Sequence, residues 1–119
     1  MRLFDDLYIY PWMSYEQNNC NTIFIDGPVP MLIDPGHARL FEHVVEGMIK
    51  DGKSIDAVKL IVATHGHPDH LEALQLFDAA VLKAIGAKEM SYLQGEGKDL
   101  YLMTGCRMPA KPFQFFLKE

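Results

Sequence analysis

Residues 7–10, with Leu7, Tyr8, Ile9 and Tyr10, and residues 22–25, with Thr22, Ile23, Phe24 and Ile25, are short runs of β-branched, aromatic and aliphatic side chains. The stretch between them, residues 11–21, holds Ser14, Asn18, Asn19 and Asn21, so the expected order is strand, polar loop, strand. Asp26-Gly27-Pro28 interrupts the pattern before Met31-Leu32-Ile33, which ends at Asp34-Pro35-Gly36. Two strands joined by a tight turn are expected here, with Gly27 supplying a positive φ.

From residue 37 to residue 50 the period changes. Leu40, Phe41, Val44, Val45, Met48 and Ile49 keep one helical face apolar, while Arg39, Glu42, His43, Glu46 and Lys50 occupy the other. Asp51-Gly52 is a suitable stop, because glycine takes the left-handed conformation cheaply just past a helix. On that polar face His43 reads as a solvated surface residue. Residues 58–63 are apolar apart from Lys59, and read as a strand buried on both faces. Leu71, Leu74 and Phe77 return to helical spacing. Residues 79–85 fit either a helix or a strand by periodicity alone, with Gly86 marking a stop. Residues 87–94 read as a short helix ended by Gly95-Glu96-Gly97. The remainder combines an apolar piece (Leu100 to Met103), a loop around Pro109 and Pro112, and the aromatic residues Phe113, Phe115 and Phe116 at the start of a further strand.

At 119 residues and 49% hydrophobic content, the chain is expected to form a single domain, residues 1–119, with a true core. The formal charge of -5 and the scattered basic residues disfavour a nucleic-acid partner. No apolar run approaches the ~18 residues of a membrane helix, and Asp5 and Asp6 interrupt the N-terminus before a signal-peptide core could develop. A cytoplasmic protein with no membrane partner is expected. The cysteines, Cys20 and Cys106, are far apart and outside any CxxC arrangement, so two reduced, partly buried thiols are expected rather than a disulfide. Neither lies in a recognisable nucleophile motif. Tyr8, Tyr10 and Trp12 read as packing residues.

The chemistry concentrates in Thr64-His65-Gly66-His67-Pro68-Asp69-His70, which contains three of the five histidines. Imidazole and carboxylate donors suit zinc or iron, and a turn at the end of a rigid strand can aim several of them at one point. Residues two apart in extended backbone project to the same side, so His65 and His67 can converge once the chain turns. Gly66 removes a side chain that would crowd the turn, and Pro68 restricts its φ. Asp69 and His70 follow at the start of the next helix, where they could face a second ion. A plainer reading makes the histidines exposed loop residues and Asp69 a helix N-cap.

These residues are similar to the HxHxDH signature of the metallo-β-lactamase-fold hydrolases, and Ile33-Asp34-Pro35-Gly36 fits the strand, aspartate and small turn that precede it in that family. The resemblance runs from about Leu7 to about Leu93 and favours the strand reading of residues 79–85. It implies an α/β fold, the N-terminal half of an αββα sandwich with a mixed sheet and flanking helices. His65 and His67 would then be ligands of one metal, and Asp69 and His70 of the other. Asp69 would be the catalytic carboxylate, and Asp34 a supporting acid behind the ligands. Without the resemblance, Asp34 reads as a turn aspartate making a local Asx-type hydrogen bond. His37 matches no family ligand and reads as a loop or helix-start residue.

The implied cofactor is Zn2+, two ions in a complete site, with Fe or Mn as alternatives. The implied activity is hydrolysis, metal-bound hydroxide attacking a thioester or ester-like small-molecule substrate, with hydroxyacylglutathione-hydrolase-like enzymes as the most similar branch. A histidine at position 70 disfavours β-lactamases of the commonest kind, and a histidine at position 67 disfavours the flavin-linked di-iron branch. Family members complete their sites with further histidines and a bridging aspartate, yet no histidine follows His70 here. Three expectations stay open: a portion of a longer hydrolase, a half that pairs with another chain or a second copy of itself, or a domain with an incomplete site. The alternative function is a non-catalytic or weakly active metal-binding half-domain that oligomerises.

Overall fold

In the computed structural model, which describes residues 1–109 and 113–118, the strands are β1 (Arg2–Phe4), β2 (Leu7–Tyr10), β3 (Thr22–Ile25), β4 (Met31–Ile33), β5 (Leu60–Ala63), β6 (Leu82–Gly86) and β7 (Phe115–Leu117). They form one seven-stranded sheet in chain order. Strands β1 to β4 pair antiparallel, and β4 to β7 pair parallel. Parallel neighbours need long crossovers. These carry the helices α1 (Glu42–Lys50), α2 (Pro68–Leu71), α3 (Ala87–Gln94) and α4 (Gly97–Thr104). The result is the expected mixed sheet with flanking helices, and residues 79–85 resolve in favour of the strand β6.

Several local expectations change in detail. The connection from β3 to β4 spans residues 26–30 rather than forming a tight turn, and Gly27 is not in the left-handed region. The helix expected over residues 37–50 is divided. A 3₁₀ turn at Ala38–Leu40 precedes α1, and Gly52 (φ 71°) supplies the left-handed stop. The helical spacing of Leu71, Leu74 and Phe77 is met by α2 running into a 3₁₀ segment, Glu72–Leu76. The apolar piece from Leu100 to Met103 lies within α4. Pro112 falls outside the described residues.

Burial alternates along β2, β3, β4 and β5. Tyr8, Tyr10, Phe24, Leu32, Ile61 and Ile85 are buried together with Val44, Met48, Leu71, Leu74, Leu93 and Tyr101 from the helices and their flanks. The intervening residues Leu7, Ile9, Ile23, Ile25, Met31, Ile33, Leu60 and Val62 stay half-buried. This corrects the reading of residues 58–63 as buried on both faces. Only one face is sealed among the described residues, and the other is apolar yet partly open.

His43 also departs from expectation. It is half-buried, its ring packs edge-on to Trp12 at 5.0 Å, and its Nε2 is buried without a hydrogen-bond partner among the described residues. Desolvation holds its pKa below the ordinary histidine value, opposed by the charge of Glu46.

Candidate metal centre

The centre is assembled at the C-terminal ends of two adjacent parallel strands, the usual location of sites in such sheets. Ile33 of β4 pairs with Val62 of β5. Asp34 therefore leaves one strand beside the point where Thr64 and His65 leave the other. The Asp34 amide extends the ladder by donating to the Val62 carbonyl at 3.0 Å.

Asp34 is buried and holds an unusual backbone conformation for a non-glycine residue, φ 53°. Long-range bonds hold it there. Its carbonyl accepts from Thr22 Oγ1 at 2.7 Å and from the Cys20 thiol at 3.3 Å. Its Oδ1 accepts from the Thr64 amide at 2.8 Å, and its Oδ2 accepts from Thr64 Oγ1 and from His70 Nδ1 at 2.8 Å. The carboxylate thus spends its bonds on residues far along the chain, and the local Asx turn is not formed.

This network sets the histidine tautomers. With Nδ1–H donated to Asp34, the neutral His70 ring carries its lone pair on Nε2. Thr64 has one hydroxyl proton, which goes to Asp34, so it accepts from His65 Nδ1 at 2.9 Å. His65 therefore also presents a free Nε2. One buried carboxylate orients both imidazoles, directly for His70 and through a hydroxyl for His65.

The rings converge. His65 lies 4.0 Å from His70 and 4.7 Å from His67, centroid to centroid. Asp69 Oδ2 stands 3.7 Å from His70 Nε2 and accepts from Asn18 Nδ2 at 3.0 Å. Asp34, His65 and His70 each offer a donor atom within 4.8 Å of one another. Asp34 accepts three hydrogen bonds, none of which a metal on the Nε2 atoms of His65 and His70 would displace, and this suits a carboxylate that positions ligands.

The electrostatics treat the two imidazoles differently. Burial holds His65 below the ordinary histidine pKa, and the neighbouring His70 and His67 push the same way against Asp34 and Asp69. For His70, burial acts downward, but the bond to Asp34 and the charges of Asp34 and Asp69 leave it above the ordinary value. His65 is thus biased toward the neutral form that ligates metals. Cys20, whose thiol reaches the Asp34 carbonyl, is pushed up to about 12 by burial and by Asp34, so it stays protonated.

The loop geometry has identifiable causes. A Cβ on Gly66 would stand 2.9 Å from Leu93 Cδ2 and 3.3 Å from Tyr92 Cδ1, so the turn packs where only glycine fits. The Gly66 amide donates to Glu89 at 2.9 Å. Pro68 opens α2, as proline at a first helical position commonly does. His67 holds the N-cap position, so Asp69 lies inside the first turn and is not the cap.

Of the signature residues, His65 and His70 converge with Asp34, while His67 packs its ring against His65 and Asp69 stands beside His70. Sequence reasoning missed Asn18, which braces Asp69, and Asn19, whose Oδ1 accepts from the His37 amide at 2.9 Å. It also missed a second donor group, His37, Glu72 and Cys106. A cleft of about 390 Å³ joins these regions and is lined by Asn18, His37, His67, Asp69, Thr104 and Cys106 among others. For Asn18 and Asn19 the advance signal was the polar richness of residues 11–21.

Comparison with known proteins bears on this arrangement. A family model described as the metallo-beta-lactamase superfamily matches residues 15–105. The human metallo-beta-lactamase domain-containing protein 1 is 33% identical over 89 residues, which cover 70% of this chain and 34% of that protein. Native FEZ-1 metallo-beta-lactamase from Legionella gormanii superposes with a TM-score of 0.79 at 16% identity, over 99% of this chain and 45% of that one. GOB-18 metallo-beta-lactamase from Elizabethkingia meningoseptica gives 0.78 at 23% identity, over 100% and 44%. The chain therefore spans about a third of the curated relative's length and under half of these structures. Sheet order, strand-end aspartate, histidine turn and family match agree, and the chain belongs to the metallo-beta-lactamase superfamily.

Proposed function

We propose that this protein is the metal-binding portion of a hydrolase in which His65, His67, Asp69 and His70 hold the metal and Asp34 positions the ligands. The observation that carries the reading is the bond set of Asp34, which leaves the Nε2 lone pairs of both His65 and His70 free. Histidine and carboxylate donors fit zinc, with iron or manganese as alternatives. A divalent ion held there supplies Lewis acidity and a water that ionises near neutral pH.

The chain's own contributions follow from the geometry. Asp34 and Thr64 fix the imidazole orientations before metal arrives, which reduces the reorganisation that binding requires. Asn18 holds Asp69 at the cleft, where its carboxylate is the group to accept a proton from the attacking water. Thioesters or related esters are the proposed substrates. The acidic charge of -5 favours them over phosphodiesters by removing general attraction for polyanions.

The test is a hydrolysis panel of a glutathione thioester, a phosphodiester and a β-lactam, assayed with and without chelator. Thioester turnover that returns with metal and is lost in His67→Ala supports the proposal. Turnover indifferent to chelator, or unchanged in His67→Ala, would sink it.

A second reading is favoured by the partly open apolar sheet face. There the protein binds metal weakly without turnover and pairs through that face with a second copy or with further chain of the same fold. Metal retention without hydrolysis of any panel member is its signature. The cellular compartment belongs to the same proposal as cytoplasmic; no helix among the described residues is long and apolar enough to cross a membrane.

A further inference from the structure

We propose that His37, Glu72 and Cys106 form a second metal site, containing a thiolate, on the wall of the same cleft as the histidine cluster. Their donor atoms all lie within 4.8 Å of one another. Glu72 Oε1 is 3.1 Å from His37 Nδ1, and Cys106 Sγ is 3.9 Å from that same nitrogen. Zinc bonded tetrahedrally to nitrogen and oxygen at about 2.0 Å and to sulfur at about 2.3 Å separates such donors by roughly 3.3 to 3.6 Å. The observed spacings bracket that range.

The arrangement does not suit a nucleophile triad. A triad histidine takes its orienting carboxylate on one ring nitrogen and the nucleophile on the other. Here both partners approach Nδ1, which can carry a single proton and so can serve only one of them. A cation at the meeting point serves all three donors. His37 is buried, and Glu72 and Cys106 are half-buried.

Glu72 is held for this task by the backbone. Its Oε1 accepts from the Ala38 amide at 3.2 Å, and its Oε2 accepts from the Arg107 amide at 3.0 Å. Both bonds persist when the imidazole proton is replaced by a metal. His37 is fixed by the bond from its amide to Asn19. The Tyr101 hydroxyl is fully buried and lacks a hydrogen-bond partner among the described residues. His37 and Cys106 line the cleft, leaving a fourth coordination position open to it. Binding a divalent ion releases the Cys106 thiol proton and moves the His37 proton to Nε2.

Cobalt(II) titration of the reduced, metal-stripped protein tests this, because a thiolate bound to Co2+ gives an intense near-ultraviolet charge-transfer band that histidine and carboxylate ligands do not. The histidine cluster offers no thiolate, so failure of the proposed hydrolytic centre would leave this readout untouched. The band is expected in the native protein, in Cys20→Ser and in the double variant His65→Ala/His67→Ala. It is expected to vanish in Cys106→Ser and in His37→Ala, with folding of each checked by circular dichroism. Glu72→Gln, which keeps only one of the two backbone hydrogen bonds because its amide nitrogen cannot accept, is expected to diminish it. Absence of the band from the native protein, its persistence in Cys106→Ser or His37→Ala, or its loss in Cys20→Ser would overturn the site.

Discussion

Asp34 Oδ2 lies 2.8 Å from His70 Nδ1, a contact between residues 36 positions apart that joins the end of β4 to the first turn of α2. Two substitutions separate its consequences. Asn tolerates the left-handed backbone and keeps an acceptor for Thr64, so Asp34→Asn is expected to fold while metal affinity falls about 10- to 100-fold. Asp34→Ala adds a left-handed strain of roughly 1–2 kcal/mol. It also strands the Thr64 amide, so a lower melting temperature is expected. Competition with a chelator checks the first claim. Unchanged affinity in Asp34→Asn would remove the orienting role.

Gly66 stands between two histidines against the buried Leu93. Gly66→Ala is expected to cost about 1–3 kcal/mol by overpacking. Truncating Leu93 to alanine creates space at a cost of about 2–5 kcal/mol. In the double variant the two losses should add to less than their sum, because the new methyl occupies the vacated volume. Urea denaturation of all four proteins measures this. Strict additivity would mean that the contact does not set the turn.

His43 gives a pH dependence that can be isolated. Its pKa is depressed in the fold by burial, below the ordinary 6.5 that it regains on unfolding. The unfolded chain therefore binds the proton more readily. Stability from this residue is fully present above pH 6.5 and is lost as pH falls through 6.5 toward the folded value. His65 and His70 titrate in both proteins, so the comparison of interest is native protein against His43→Phe. The native protein is expected to lose more stability than the variant between pH 8 and pH 5. Parallel stability curves would show that burial of this ring has no titration consequence.

The open face of the sheet makes a prediction about association. Ile23 sits there, opposite Ile9 on one neighbouring strand and Ile33 on the other. Contiguous apolar surface of this kind drives self-association unless something covers it. The chain by itself is expected to sediment as more than one copy, and Ile23→Lys to shift it toward monomer without loss of helix-face packing. A native monomer at all concentrations would count against pairing through this face.

Much of this was legible locally. The alternation in β2 and β3, the helical period before Gly52, and the proline that opens α2 each arise from interactions within a few residues. Sequence alone therefore determined most of the element order and the histidines to examine, and a resemblance indicated the family; strand β1 and the choice of strand at residues 79–85 did not follow from periodicity. Tertiary structure decided which groups meet. The pairing of Ile33 with Val62 places Asp34 against Thr64, and the docking of α2 then brings His70 to the same carboxylate. The approach of residues 11–21 to α2 gives Asp69 its partner Asn18. The same folding sets His37 beside Glu72 and Cys106, although nothing in the sequence placed a histidine near either thiol. It also covers His43 with Trp12, against its position on a polar helical face. Short-range periodicity records which side of an element is apolar. Strand register and helix docking determine which distant side chains share that space, and those depend on the whole packed sheet.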